Sequence, residues 1–156
     1  MSYTADFKTR NASEISEERA VEYYTSIDNC KLLRYGLDAL GKVNGLEFCR
    51  IPMFIRKSPD FIAISENNAY FIEVKGCTDK GVRIKNEDLS NYKSWGEHMN
   101  IIFFIYNVWR GSYLQITLDG LTKAIADSRT ETKRFPDNNK EYYLIDLKSL
   151  PDFTNF

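Results

Sequence analysis

Asp60, Glu73 and Lys75 are three charged residues at the margin of, or inside, two strongly apolar segments. Two carboxylates that lie close together repel each other, and burial disfavours their charged forms, so a divalent cation is a simple way to hold both. Oxygen ligands with few protein contacts suit Mg²⁺, which keeps water molecules for a substrate phosphate and for an attacking nucleophile. A lysine beside such an ion can orient or deprotonate the water, or offset negative charge that develops on phosphorus. The three residue types together indicate metal-dependent phosphoryl chemistry.

The two segments that carry these residues predict a β-hairpin. Segments 60–65 and 69–75 are apolar and rich in β-formers, and the turn-forming sequence Glu-Asn-Asn joins them. Because side chains alternate along a strand, Glu73 and Lys75 are expected on one face. Residues that pair across this hairpin sum to about 134, which places Asp60 opposite the region of Glu73 and Lys75. The hairpin therefore predicts that the three side chains converge.

The same pattern has an ordinary structural interpretation. A Glu-x-Lys sequence on a strand often forms a solvated face with a modest ion pair, and Pro-Asp is often a turn before a strand. The apolar neighbours favour the functional interpretation, because they make charged groups costly unless those groups are used.

The rest of the chain predicts an α/β domain with a mixed central sheet flanked by helices. No repeat or linker divides residues 1–156, so we expect one domain. The apolar run at 101–106 predicts a central strand that is covered on both faces. The predicted helices are Ser13–Asp28, Asn86–Glu97 and a short one that Asp119 caps and that ends at Asp127; the predicted strands beyond the hairpin are 31–35, 46–55 apart from Pro52, 100–107, 112–117 and 142–147; loops are predicted at 76–85 and 128–140.

Ser58-Pro59-Asp60, followed thirteen positions later by Glu73-Val74-Lys75, resembles the signature of the PD-(D/E)xK nuclease superfamily. That superfamily includes type II restriction enzymes, archaeal-type Holliday junction resolvases and phage recombination exonucleases. The order of elements from about Ser13 to Thr117 resembles its restriction-endonuclease-like αβββαβ core. The resemblance implies that Asp60, Glu73 and the Val74 carbonyl bind Mg²⁺, that Mn²⁺ can substitute, and that Lys75 is the catalytic lysine.

The resemblance also points to the first and second predicted helices. Many members add a metal-binding glutamate from the first helix, often followed by arginine, and Glu18-Arg19 fits this best, with Glu17 and Glu22 as alternatives. Some exonuclease-like members carry Gln-x-x-x-Tyr on the helix after the motif. This chain has Asp88-Leu-Ser-Asn-Tyr92, in which the tyrosine matches and the glutamine does not.

A local cluster of basic residues must supply any nucleic-acid-binding surface, because the formal net charge is −1. Lys80, Arg83 and Lys85 follow the strand of the motif and are the best candidates for contacts with phosphates. The alternative is that they are ordinary solvated side chains. The other basic residues near the motif are Arg50, Arg56, Lys57 and Lys93.

Composition excludes several other kinds of site. With His98 as the single histidine, sites built on several imidazoles lack their ligands, and the three cysteines fit neither a disulfide framework nor paired zinc ligands. Neither a dinucleotide fingerprint nor a P-loop is present. No signal sequence and no apolar run long enough for a membrane span occur, which predicts an intracellular, cytoplasmic protein, in a host cell if a phage encodes it.

These observations predict a Mg²⁺-dependent endonuclease that hydrolyses DNA in recombination or repair. The small size favours a structure-selective enzyme of the junction-resolvase type, since little chain remains for reading bases. Cutting two strands symmetrically needs two active sites, so a homodimer is expected. The alternatives are a nonenzymatic nucleic-acid-binding or assembly domain that keeps the nuclease fold, and a nuclease directed at RNA.

Overall fold

A computed structural model describes residues 3–37 and 45–156, with side chains from residue 12. Within these residues no helix is long and apolar enough to cross a lipid bilayer. The helices are α1 Tyr3–Ser26, α2 Gly45–Arg50, α3 Met53–Arg56, α4 Asn86–Gly96 and α5 Leu118–Ala126, with a 3₁₀ turn at Leu147–Ser149; the strands are β1 Lys31–Arg34, β2 Phe61–Ile64, β3 Ala69–Cys77, β4 Val82–Lys85, β5 Ile101–Asn107, β6 Ser112–Thr117, β7 Glu131–Arg134, β8 Glu141–Ile145 and β9 Thr154–Asn155.

The predicted hairpin is the centre of a six-stranded mixed sheet in the order β1-β2-β3-β5-β6-β9. Strands β2 and β3 pair antiparallel with Phe61 opposite Ile72, so paired residues sum to 133, one less than expected. Strand β5 lies parallel to β3 and antiparallel to β6, and nearly all of its side chains are buried. The mixed α/β architecture and the central position of β5 confirm the prediction from sequence.

The two faces of β3 serve different cores. Ile72 and Val74 pack with Ala20 and Tyr24 of α1, whereas Phe71 packs on the side of α4 and α5. Helix α1 approaches β3 so closely at Gly76 that a Cβ atom there would lie 2.8 Å from Ser16 Oγ. The alternation predicted from sequence therefore places Glu73 and Lys75 on the α4 side.

A second sheet of three antiparallel strands, in the order β4-β8-β7, extends the α4 side of the molecule. Val82, Ile84 and Ile145 point from it into the larger core. The register pairs Val82 with Ile145 and Lys85 with Tyr142. Arg83 and Lys85 consequently lie on the face turned away from the core, because residues at odd and even positions of a strand face opposite ways.

The structure corrects five sequence-based boundaries. Helix α1 begins at Tyr3 instead of the predicted Ser13. The region predicted to be extended at 46–55 forms α2 and α3, which the weak apolar pattern around Pro52 concealed. The predicted loop 76–85 instead holds the end of β3 and all of β4, and the predicted loop 128–140 holds β7, whose side chains are all exposed. Thr117, rather than Asp119, caps α5, with its side chain accepting a hydrogen bond from the Gly120 amide at 3.1 Å. Strand β4 was hidden because its partner β8 lies far along the chain, and β7 was hidden because its four exposed residues carry no apolar alternation.

The cysteines should differ sharply in reactivity. Cys49 is exposed and Cys77 is buried, and burial, with the nearby charge of Asp79, raises the pKa of the Cys77 thiol to about 12. We expect iodoacetamide at about pH 8 to label Cys49 in the native protein and Cys77 only after unfolding, because the thiolate is the reactive form. Peptide mapping by mass spectrometry tests this, and fast native labelling of Cys77 would contradict it.

The raised pKa also predicts a pH dependence of stability. The unfolded thiol titrates near 8.5, so folding favours the protonated form. The stabilisation is complete below about pH 8.5 and is lost as pH rises toward about 12. The free energy of unfolding of Cys77→Ala should therefore fall less than that of the wild type as the pH rises in this range. Denaturant unfolding of both proteins at several pH values measures this.

Candidate active site

Asp60 is held at the start of β2 by main-chain contacts on both sides. Its carbonyl oxygen accepts hydrogen bonds from the amides of Tyr35 and Gly36, both at 3.0 Å. Its carboxylate Oδ2 accepts a hydrogen bond from the Val74 amide at 2.8 Å. A Cβ atom at Gly36 would lie 3.0 Å from the Pro59 carbonyl oxygen, so a larger residue there would displace the backbone next to Asp60.

Glu73 and Lys75 form an ion pair on the α4 face of β3. Lys75 Nζ lies 2.7 Å from Glu73 Oε1, and the same oxygen accepts a hydrogen bond from the Tyr92 hydroxyl at 2.9 Å. The Lys75 ammonium also lies 5.4 Å from the centre of the Tyr92 ring. Glu73 is buried, and Tyr92 is only 3% exposed. Helix α4 thus fixes the orientation of both charged groups through one tyrosine.

Asp60, Glu73 and Lys75 line one cavity of about 160 Å³, as their spacing predicted. Helix α4 and the residues after α3 supply the other walls. There Lys57 Nζ lies 2.8 Å from Asp88 Oδ1. The remaining lining residues are Gly36, Leu37, Arg56, Ser58, Asn91 and Tyr92.

Arg56 contributes an unsatisfied donor to this wall. Its guanidinium lies 5.4 Å from the centre of the Phe48 ring. Its Nε atom is buried and has no hydrogen-bond acceptor among the residues that the structure describes. Sequence reasoning counted Arg56 and Lys57 among seven nearby basic residues but contained no signal that placed them in the cavity wall.

The charges in the cavity influence one another strongly. Burial, and then the charge on Glu73, raises the pKa of Asp60 to about 8, while Lys75 and the Val74 amide act in the opposite direction. Burial acts to lower the pKa of Lys75, but the charges of Glu73, Tyr92 and Asp60 outweigh it and hold that pKa well above its ordinary value. Two acidic groups and one ammonium therefore share a poorly hydrated space.

The donor set suits a hard divalent cation with few protein ligands. Within residues 3–37 and 45–156 no cluster of three or more His, Cys, Asp or Glu side chains is arranged to hold a metal ion. The cavity offers the two carboxylates of Asp60 and Glu73. Mg²⁺ commonly binds one or two carboxylates and completes its shell with water and substrate phosphate. The residues present fit that kind of ion and not a closed structural site.

The glutamates of α1 lie beside a different and larger cavity. Glu17 and Glu18 line a cavity of about 620 Å³ together with Arg34. Glu17 Oε2 accepts a hydrogen bond from Arg34 at 2.6 Å, and its charge contributes to the raised pKa of Asp60. Glu18 has an exposed side chain, and Glu22 pairs with Arg19 at 2.7 Å. Glu17, an alternative in the sequence analysis, is therefore the α1 carboxylate whose charge acts on Asp60.

Two of the three predicted phosphate-contacting residues lie on a strand instead of a loop. Arg83 and Lys85 belong to β4, while Lys80 is an exposed residue of the turn between β3 and β4. A bridge between Thr78 and Gly81 closes that turn.

Comparison with known proteins gives a match at the level of fold. No family model matches the chain, and no curated protein matches it. Among solved structures, the chain is similar to Hjc, a Holliday junction resolvase from the archaeal hyperthermophile Archaeoglobus fulgidus, with a TM-score of 0.52, 11% sequence identity, and coverage of 92% of this chain and 91% of that one. D212, a nuclease from a fusselovirus, has a TM-score of 0.49 and 14% identity, with coverage of 97% of this chain and 88% of that one. The similarity to Hjc confirms the restriction-endonuclease-like fold class.

Proposed function

We propose that this chain is a Mg²⁺-dependent nuclease that hydrolyses phosphodiester bonds in DNA, as a structure-selective endonuclease of the junction-resolvase type. The observation that carries the proposal is the convergence of Asp60, Glu73 and Lys75 in one cavity. A buried carboxylate beside a half-buried one, with one hydrogen-bonded lysine, is costly to fold and has a direct use in phosphoryl chemistry. The fold shared with a Holliday junction resolvase supports the choice of a nucleic acid as substrate.

Asp60 and Glu73 would hold the metal ion, with the Val74 carbonyl as a further ligand. When bound, the ion would polarise the phosphate and lower the pKa of a water molecule. For the α1 carboxylate, Glu17 is better placed than Glu18, because its charge already acts on Asp60. Release of Glu17 from Arg34 would let it contribute, directly or through water.

Lys75 would act on the attacking water and on the charge that develops at phosphorus. Its ammonium is held by Glu73 and Tyr92 and faces the same cavity as Asp60. A fixed cation at this place stabilises the transition state without reorganising during the reaction.

Arg56 and Lys57 would bind a phosphate of the substrate at the cavity wall. The Nε atom of Arg56 lacks an acceptor among the described residues, and a phosphate oxygen supplies one. Lys57 is paired with Asp88 at 2.8 Å, and it can exchange that carboxylate for a phosphate. Symmetrical cutting of two strands requires two such sites, so we also propose that the enzyme is a homodimer.

The test is cleavage of labelled single strand, duplex, flap, four-way junction and RNA, with Mg²⁺, Mn²⁺ or EDTA. We expect metal-dependent cutting of DNA, with the four-way junction cut best. Glu73→Gln should lose at least about 10²-fold in rate, because it removes a charged metal ligand at nearly unchanged volume. Glu97→Gln, which changes an exposed glutamate just after α4, should cleave like the wild type.

The outcomes separate the alternatives. Cutting that persists in EDTA, or in Glu73→Gln at the wild-type rate, would contradict the metal mechanism. Preferential cutting of RNA would show that the substrate is RNA and not DNA. Binding of DNA without cleavage of any substrate would favour the nonenzymatic domain.

A further inference from the structure

The outer face of the second sheet gathers basic and aromatic side chains. Arg83 and Lys85 lie on β4, and the register places Lys133 of β7 opposite Tyr142 of β8. Phe135 follows β7 on the same face, and its ring centre lies 4.3 Å from that of Tyr142. We call Arg83, Lys85, Lys133, Phe135 and Tyr142 the basic face.

Two cations of this face, Arg83 and Lys85, are held by aromatic rings instead of carboxylates. The guanidinium of Arg83 lies 5.5 Å from the centre of the Tyr142 ring, and Lys85 Nζ lies 6.0 Å from that of Phe135. Neither Arg83 nor Lys85 forms an ion pair with any residue of the described chain. Ring contacts fix the position of a cation but leave its charge available to an external anion.

Many other surface cations already form ion pairs with carboxylates. Arg110 pairs with Asp79 at 2.7 Å, and Arg129 pairs with Asp127 at 2.9 Å. Lys133 itself lies 3.1 Å from Glu131, in a pair so exposed that solvent weakens it. Other described cations, such as Lys80 and Lys93, also lack an ion pair, but Arg83 and Lys85 lie on the same side of one strand, about 7 Å apart along it.

The basic face begins beside the candidate active site. Lys85 directly precedes α4, which supplies Asp88 and Tyr92 to the cavity. A chain of ion pairs joins the two regions as well: Lys140, in the turn between β7 and β8, lies 3.0 Å from Glu87, and Glu87 lies 3.7 Å from Lys57 of the cavity wall. A strand of nucleic acid that enters the cavity over α4 would thus meet this face.

We infer that the basic face binds the phosphate backbone of the DNA substrate on one side of the bond that is cut. The inference rests on the proposed function and adds the surface that positions the substrate. The fixed, uncompensated charges of Arg83 and Lys85 complement a polyanionic strand, and the outward-facing arrangement favours contact with phosphates over reading of base edges. Lys133 adds a third positive charge, which Glu131 on the same face partly offsets, and Phe135 and Tyr142 keep Arg83 and Lys85 in place.

The test measures binding of a labelled four-way junction and of duplex DNA by fluorescence anisotropy in EDTA, where no cleavage is required. The variant is Arg83→Gln/Lys85→Gln. The matched control, Lys31→Gln/Lys123→Gln, removes the same amount of charge from exposed positions on β1 and α5. Thermal unfolding monitors the fold of both.

We expect the dissociation constant to rise at least about tenfold in Arg83→Gln/Lys85→Gln and less than about twofold in the control. The slope of log affinity against log salt should fall by about 2, since each lost phosphate contact contributes about 0.9. Equal weakening in both double variants would overturn the inference, since it would show that total charge, and not the position of the basic face, determines the affinity.

The remaining outcomes distinguish this inference from the proposed function. Unchanged binding in Arg83→Gln/Lys85→Gln, with the wild type cutting DNA, would overturn the basic face and leave the nuclease standing. A wild type that neither binds nor cuts DNA would overturn both. Poly-glutamate that binds as tightly as DNA would show that the face takes an acidic peptide and would overturn its assignment to the backbone.

Discussion

Lys75→Ala is expected to lose metal-dependent cleavage by about 10²- to 10⁴-fold, the range of a positioned proton-transfer or charge-stabilising group. Lys75 is the cation that the structure places between Glu73 and the Tyr92 ring in the candidate active site. In the proposed mechanism, its removal takes a hydrogen-bond donor from the attacking water and a fixed charge from the transition state. Binding of DNA at the basic face should persist, because that surface does not include Lys75.

The measurement must separate loss of chemistry from loss of fold. Removing one partner of a buried ion pair can cost about 3–5 kcal/mol, and the Lys75 side chain is 23% exposed, so the cost should be at the lower end or below it. Lys75→Arg keeps the charge but replaces a compact ammonium with a larger planar group. We expect Lys75→Arg to fold normally and still lose at least about tenfold in rate.

Lys123→Ala is the matched control for this experiment. Lys123 is 77% exposed on α5 and pairs with Asp119 at 2.8 Å. Its removal should leave both cleavage and the unfolding curve within error of the wild type. Full activity in a folded Lys75→Ala protein would contradict the proposed role of the lysine.

The central hairpin was predictable because its signals are local. The two segments that flank the Glu-Asn-Asn turn are strongly apolar and lie close together in the sequence. The turn closes with a hydrogen bond of 2.8 Å from the Ser65 amide to the Asn68 carbonyl. Strand alternation then placed Glu73 and Lys75 on one face without any tertiary information. The one-residue shift in register did not disturb the convergence, because Asp60 reaches Val74 through its side chain.

The walls of the cavity were not predictable in the same way. The pairing of Lys57 with Asp88 spans 31 positions, and the contact of Tyr92 with Glu73 spans 19. Tyr92 matched a family spacing, but nothing in the sequence gave its partner. Strand β4, which carries Arg83 and Lys85, acquires its neighbour β8 from the far end of the chain, so its residues were predicted in a loop. Contacts of this kind are set by packing and leave no periodic signal.

Trp95→Ala should have the largest effect on stability of any single change near the candidate site, about 3–5 kcal/mol in the free energy of unfolding. Trp95 is 6% exposed. Its ring stacks on Phe54 with centres 4.3 Å apart and planes within 3°, and it meets the Phe71 and Tyr35 rings edge-on. Its Nε1 donates a hydrogen bond to the Phe54 carbonyl at 3.3 Å.

Removal of the Trp95 ring should also affect the candidate active site, because α3 packs against that ring. That helix is four residues long and has no fully buried side chain, so the stack on Trp95 is its main attachment to α4. Arg56 and Lys57 lie two and three positions after Phe54 and form part of the cavity wall. Trp95→Ala should therefore weaken DNA affinity as well as stability, while Trp95→Phe, which keeps an aromatic ring but loses the hydrogen bond, should cost about 1–2 kcal/mol.

Denaturant unfolding followed by far-ultraviolet circular dichroism measures these changes without depending on tryptophan emission. The control is Trp109→Ala, because Trp109 is 63% exposed and should contribute less than about 0.5 kcal/mol. If Trp95→Ala and Trp109→Ala unfolded at the same denaturant concentration, the anchoring role of Trp95 would be wrong. If Trp95→Ala lost stability but bound DNA with wild-type affinity, α3 would be held by other contacts and Arg56 and Lys57 would not depend on this stack.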